Sequence, residues 1–188
     1  MSTDAENEGR RRALYLLVVA RASILAAFGI AQYADRHITE VNDPQLLPLQ
    51  EALIVAYSRP FTHSEGLGAL PSRWSRFADP QLQKRHDSAI ALRNKVVSHT
   101  DVDEFRVHVY PRGVPGPDGV AYSKGAGVAI ATERPMLPWF KGMELLCQDL
   151  GSRLNQAVEQ ELQTLFGAIS GAQTPIDLLT GEPPVRSV

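Results

Sequence analysis

DPQLQKRHDSAIALRNKVVSHTD, residues 79–101, is the stretch whose reading decides the fold. Asp79 offers a side-chain acceptor to orphan amides, and Pro80 carries the φ of a first helical turn with no N–H to leave unpaired. Asp79-Pro80 is therefore a helix start, and the helix-unfriendly Ser98-His99-Thr100-Asp101 closes the run, which predicts a helix over Pro80–Ser98. Immediately beyond, the period changes. Phe105, Val107 and Val109 alternate with Arg106, His108 and Tyr110 in Glu104–Tyr110, which is strand spacing. Pro111–Gly119 has turn chemistry and Val120–Thr132 reads as a second strand, so a β-hairpin over about 104–132 is expected between helices.

Working outward, Pro135 and Pro138 open a helix over about Pro138–Ala168, with an apolar seam at Phe140, Met143, Cys147, Leu150, Leu154, Ala157, Leu162 and Leu165. Toward the N-terminus, a glycine- and proline-rich loop, Phe61–Ala78, follows a helix expected over Pro48–Ser58, with one short turn around Ser72–Phe77. The ring of Pro60 ends that helix by disfavouring a helical residue before it. A first helix runs from about Arg10 to Asp35, on a stripe of Leu14, Leu17, Val18, Arg21, Ile24, Leu25, Phe28 and Gln32. The expected fold class is mainly α: a bundle of about four long helices with an inserted β-hairpin, one domain over 10–168, and flexible tails at 1–9 and 169–188.

Composition narrows the function. At 188 residues the chain suits one domain with a sizeable core, and its 44% hydrophobic and 21% charged residues are ordinary for a globular protein. A net charge of −2 excludes a dedicated DNA-coating protein, so nucleic-acid contact would need a local patch. Arg73, Arg76, Lys84, Arg85, Arg93 and Lys95 outnumber Asp79 and Asp87 and could form one, although a charge run is usually a solvated face. The single Cys147 excludes an intramolecular disulfide or a multi-cysteine metal site and sits at core spacing. His37, His63 and His108 read as solvent-facing, and the five histidines show no zinc-type spacing. Gly66-Leu67-Gly68 and Gly125-Ala126-Gly127 lack the strand–glycine–helix order of a phosphate loop. No cofactor and no metal are expected.

Arg10-Arg11-Arg12 followed by Ala13–Ala20 resembles a signal peptide, with small residues at Ala20-Arg21-Ala22 for cleavage. Helical amphipathicity continues past that point, and Arg21 in mid-span would cost about 2.5–3.5 kcal/mol in a bilayer. The expectation is a core-packing helix of a cytoplasmic protein without a membrane role, the secreted form being the alternative.

The phrase His86-Asp87-Ser88-Ala89-Ile90-Ala91-Leu92-Arg93-Asn94-Lys95-Val96-Val97-Ser98-His99-Thr100-Asp101 contains an arginine, a small polar residue next to it, and a histidine six positions on. It resembles the Arg-x(4–6)-His signature of the HEPN superfamily, in the form found in abortive-infection-type members, where such a run closes a bundle helix. Tyr57-Ser58-Arg59-Pro60-Phe61 is similar to a phrase of the same group. The resemblance implies metal-independent RNA cleavage at a cleft between two subunits, hence a homodimer, an RNA substrate, a toxin or phage-defence setting and an antitoxin protein as partner. By match to the motif, His99 is the general base or acid, Arg93 the phosphate clamp and Asn94 an orienting group; Asp101 and Arg59 are further supporting candidates, and His86 is one through the helical stripe it shares with Arg93.

The chemistry is sound on its own terms. Cleaving RNA through its own 2′-hydroxyl needs a proton acceptor with a pKa near 6.5 and a fixed planar cation for the phosphorane. Geometry imposes a condition: six residues at about 100° each put His99 roughly 120° around a continuous helix from Arg93. The helix must end before His99, or a second subunit must supply the partner. His86, seven residues before Arg93, shares its stripe. Against this stand structural readings. Arg93 can pair with Asp87 or another carboxylate, and His99 can sit favourably at a helix C-terminus. His86 and Arg59 fit structural roles better than functional ones. A non-catalytic bundle for dimerisation or partner binding is the alternative function.

Overall fold

The computed structural model describes residues 4–63, 68–97, 105–111, 113–115, 127–132, 137–166 and 178. Four helices dominate: α1 (Asp4–His37), α2 (Leu46–Ser58), α3 (Pro80–Val97) and α4 (Pro138–Phe166). Single 3-10 turns at Arg59–Phe61 and Ser72–Ser75 punctuate the connection between α2 and α3. The protein is a mostly helical bundle in which α1 packs along α4 on one side and α2 on the other.

Local chemistry explains the boundaries. Asp79 caps α3 as its sequence suggests: its carboxylate accepts from the Gln81 amide at 2.7 Å and its carbonyl from the Gln83 amide at 3.0 Å. The Gln83 side chain then staples the preceding loop to the helix, accepting from the Phe77 amide at 2.9 Å and donating to the Ser75 carbonyl at 3.1 Å. α2 begins at Leu46, two residues before the expected Pro48, because Asp43 accepts from the Gln45 amide at 2.8 Å and prepares the first turn. α1 starts at Asp4, so the acidic segment expected to be a tail is in part helical. Negative side chains at a helix N-terminus complement the macrodipole there.

In the loop, Gly68 adopts φ 78°, a left-handed backbone, and two residues later the Leu70 amide donates to the Pro60 carbonyl at 2.8 Å. This ties the end of the loop back to the turn after α2. Phe105–Tyr110 and Gly127–Thr132 pair as an antiparallel two-stranded ladder from Phe105 opposite Thr132 to Tyr110 opposite Gly127. Residues 116–126, expected to carry the turn and the start of the second strand, lie outside the described residues, as do most of 167–188.

The core corrects two stripes. In α1 the buried line is Leu14, Leu17, Ala20, Ile24, Ala27, Ala31, Ala34, continuing to Ile38 beyond the helix, whereas Leu25 is 53% exposed. Val18, Arg21, Phe28 and Gln32 are half-buried. The helix is apolar nearly all round, so periodicity alone did not say which face turns inward; alanines do, because they let two neighbouring helices approach. In α4 the seam is Phe140, Met143, Leu146, Cys147, Leu150, Gly151, Leu154 and Val158, and Leu162 is 42% exposed. Gly151 lies against Ile24 of α1, where an added Cβ would reach ordinary contact at 3.8 Å. Lys141 crosses from α4 to Asp35 of α1 at 3.7 Å and also holds Glu144 at 2.6 Å, which keeps the Glu144 carboxyl below its usual range.

The corrected seam makes a quantitative prediction. Leu154→Ala should cost about 2–5 kcal/mol of unfolding free energy, the range for a fully buried leucine, and Leu162→Ala less than about 1 kcal/mol. Urea denaturation of the two variants checks this, and equal losses would contradict the packing.

Candidate functional site

Arg93 and Asn94 sit on the last turns of α3. The Arg93 guanidinium is half-buried and its Nη1 donates to Asn94 Oδ1 at 3.2 Å. One of its donors is therefore oriented by the neighbour that the motif predicts as an orienting group, and the remaining N–H groups form a planar fork of the kind that holds phosphate oxygens. No carboxylate pairs with Arg93 among the described ion pairs; Asp87 is engaged with Gln83 Nε2 at 2.9 Å. His99 and Asp101 lie outside the described residues.

His86 has a different environment. It is 4% exposed, and its Nδ1 is 2.8 Å from the hydroxyl of Tyr57 on α2. Phe61 and Phe77 pack on the ring with centroids at 4.8 and 5.4 Å. Burial drives the Tyr57 hydroxyl far above its ordinary pKa, so it stays protonated and hydrogen-bonded to Nδ1. Burial also lowers the pKa of His86 despite the nearby Asp87 carboxylate, which favours the neutral imidazole. The ring joins α2, the two loop turns and α3 in one aromatic cluster. It shares α3 with Arg93 but faces the core. In the phrase Tyr57-Ser58-Arg59-Pro60-Phe61, Tyr57 and Phe61 belong to this cluster, while Arg59 is exposed and away from it.

The predicted basic run is likewise divided. Arg85 lies flat on α4 at Gly142, where a Cβ would come within 2.7 Å of Arg85 Nε, so that arginine works as a packing group. Arg73 instead edges an open groove of about 440 Å³ with Trp74, Arg153, Gln156, Ala157 and Gln160. Arg153 stacks over Trp74 and Phe77, with Cζ 5.5 and 5.2 Å from the ring centroids. It also donates to the Arg73 carbonyl at 3.2 Å and pairs with Asp149 at 3.6 Å. Sequence reasoning passed over Arg153. The Asp149–Arg153 spacing marks a helix-face pair, but only the fold brings Trp74 beneath it.

No family model, curated protein or solved structure matches this chain. The candidate site therefore rests on its own residues: Arg93 with Asn94 at the end of α3. Among the described residues, no three His, Cys, Asp or Glu side chains gather into a cation site. Cys147 is buried in the α4 seam, and burial pushes its thiol up to about 12, far from the thiolate a nucleophile needs.

The buried histidine has a pH signature. In the unfolded chain an imidazole titrates near 6.5, whereas the folded pKa of His86 is lower. Below about pH 6.5 the unfolded state binds a proton the native state refuses, so stability present at neutral pH is lost as pH falls toward the folded value. The melting temperature is expected to decline between pH 6.5 and 5 in a calorimetric series. His86→Gln, which keeps an acceptor for Tyr57, should flatten that decline; an unchanged slope would place the titration elsewhere.

Proposed function

We propose that the chain is a HEPN-like, metal-independent ribonuclease of toxin or phage-defence type, acting in the cytoplasm as a homodimer on an RNA substrate and restrained by an antitoxin protein. The observation that carries this reading is Arg93 at the end of α3, half-buried, with one N–H directed to Asn94 and no carboxylate on it among the described ion pairs. Together with the phrase that ends in His99, this supplies the charges that the reaction needs.

In the proposed reaction His99 takes the proton of the 2′-hydroxyl as that oxygen bonds to phosphorus. Arg93 holds the non-bridging oxygens as the phosphorane gains charge, and the bond from phosphorus to the 5′-oxygen then breaks, that oxygen taking its proton from solvent water. Asn94 keeps the guanidinium aimed, Asp101 is assigned to orient His99, and Arg59 contributes positive charge for the strand. His86 supports the site by anchoring α3 through Tyr57 and makes no contact with substrate. The two strands join as a β-hairpin inserted between α3 and α4.

The second reading is a non-catalytic dimerisation or partner-binding module. It is favoured by one observation: the histidine that shares α3 with Arg93 is locked in the core. Scaffold does not decide between the two.

Cleavage of a mixed RNA pool separates them. Arg93→Ala and His99→Ala should each reduce turnover by at least about 100-fold and relieve any growth inhibition, with unchanged circular dichroism, and EDTA should have no effect. Full activity in both variants would overturn the ribonuclease reading.

A further inference from the structure

Arg153, Gln156, Ala157 and Gln160 recur at three- and four-residue steps, so they form one face of α4 beside its buried seam. The turn at Ser72–Ser75 lays Arg73 and Trp74 against that face, and the two walls bound the open groove of about 440 Å³. Seven residues of helix give it a length of about 10 Å. Ala157, the smallest residue of the helix face, leaves the space between the two glutamines and the turn.

The polar groups of this groove are unevenly committed. Arg153 is built into the fold: Asp149 holds it at 3.6 Å, the Arg73 carbonyl accepts from it at 3.2 Å, and the Trp74 and Phe77 rings lie against its guanidinium. Arg73 is not. Its side chain is exposed, and among the described residues neither an ion pair nor a hydrogen bond engages it. The carboxamides of Gln156 and Gln160, one turn apart and exposed, also have no partner among the described residues. Trp74 is 7% exposed, and its indole N–H, shielded from solvent, meets no acceptor among them. No carboxylate is among the described residues that line the groove. An arginine without a counter-ion, two idle carboxamides and an unsatisfied donor around one space mark a place for a ligand.

We propose that this groove holds one nucleotide of a single-stranded nucleic acid, with Arg73 on the phosphodiester and Gln156 and Gln160 on the edge of the base. This extends the ribonuclease reading by a second contact for the strand and rests on that reading only for the class of polymer. Gln83, which holds Ser75 and Phe77 beside the groove, precedes Arg93 on α3 by ten residues, about 15 Å of helix. The strand is thus anchored away from the bond that Arg93 serves.

Three features select this occupant. The planar guanidinium fork matches two oxygens of a phosphodiester. A carboxamide sets a donor beside an acceptor, which complements the edge of a base. An open groove admits a polymer passing through it, whereas a free nucleotide is held by a pocket that covers most of its surface. An acidic peptide fits less well: one uncommitted arginine answers one anion, and carboxylates offer nothing to the carboxamide oxygens.

Anisotropy of a fluorescein-labelled 2′-O-methyl oligoribonucleotide, of mixed sequence and about 12 nucleotides, tests this on the full chain. The wild type should bind with a Kd of about 1–100 μM at physiological salt, the range of sequence-independent contacts. Arg73→Ala should weaken binding about tenfold and make the slope of log K against log salt shallower by about 0.7, the value for one phosphate of a single strand. Gln156→Ala combined with Gln160→Ala should weaken it about fivefold and leave the slope unchanged. Arg36→Ala, at an exposed position near the end of α1, should change neither. A wild type that does not bind, an Arg73→Ala chain with the affinity and slope of the wild type, or an Arg36→Ala loss as large as that of Arg73→Ala would each overturn the proposal. So would displacement of the probe by adenosine monophosphate or by polyglutamate as readily as by the unlabelled strand. The probe has no free 2′-hydroxyl, so its binding is read apart from cleavage. A chain that binds it through Arg73 yet cuts no RNA would end the ribonuclease reading and leave this groove standing.

Discussion

The close approach of neighbouring helices to α1 is the constraint on which the rest of the bundle depends. Ala20, Ala27, Ala31 and Ala34 line its inward face, and α2 and α4 both close upon it. The larger partners, Tyr57 of α2 and Phe140, Met143, Leu150 and Leu154 of α4, fill the volume that the alanines leave. Alanine contributes little apolar area, so the energetic weight falls on those bulky side chains, and the alanines act by setting distance. α1 meets these neighbours along its inward face, while Leu25 and Tyr33 on the opposite face stay exposed.

A second, polar constraint fixes α3. The Tyr57–His86 hydrogen bond is enclosed by Phe61 and Phe77, and its donor and acceptor have no solvent to fall back on. Leaving either one unpaired costs about 1–3 kcal/mol. Because Phe61 and Phe77 come from the connection between α2 and α3, this bond also orders that connection, aided by the Gln83 staple and by Arg153 over Trp74. The direction in which α3 carries Arg93 out of the core is thus set by a histidine seven residues earlier. Shared helical stripe and shared function are different things here: one residue anchors, the other is presented.

Much of the architecture was legible in the sequence because local chemistry is explicit there. Asp79-Pro80 announces α3, Pro138 announces α4, and the structure follows both. What could not be read was orientation. In α1 leucines and alanines surround the whole helix, and a stripe chosen by size of side chain put Leu25 inward, where alanine was required. α4 was misread near its end for a related reason: Leu162 keeps the apolar spacing but is exposed, while Leu165 and Phe166 beyond it still pack against the core. At the candidate site Arg93 and Asn94 were named from the motif, and a hydrogen bond joins these two neighbours at the end of α3. The role of His86 needed the third dimension, since nothing in the spacing of Tyr57 and His86 predicts their contact. Arg153 was invisible for the same reason, because its partner Trp74 is remote in sequence.

The lone thiol of the chain has a use of its own. Cys147 is enclosed in the α4 seam between Phe140 and Leu150, so a thiol reagent in the surrounding medium reaches it only when the helices part. Its rate of alkylation is then a clock for whole-bundle opening, with one tick per excursion and no second thiol to blur the record. A chain of this design carries a built-in gauge of how often its interior breathes.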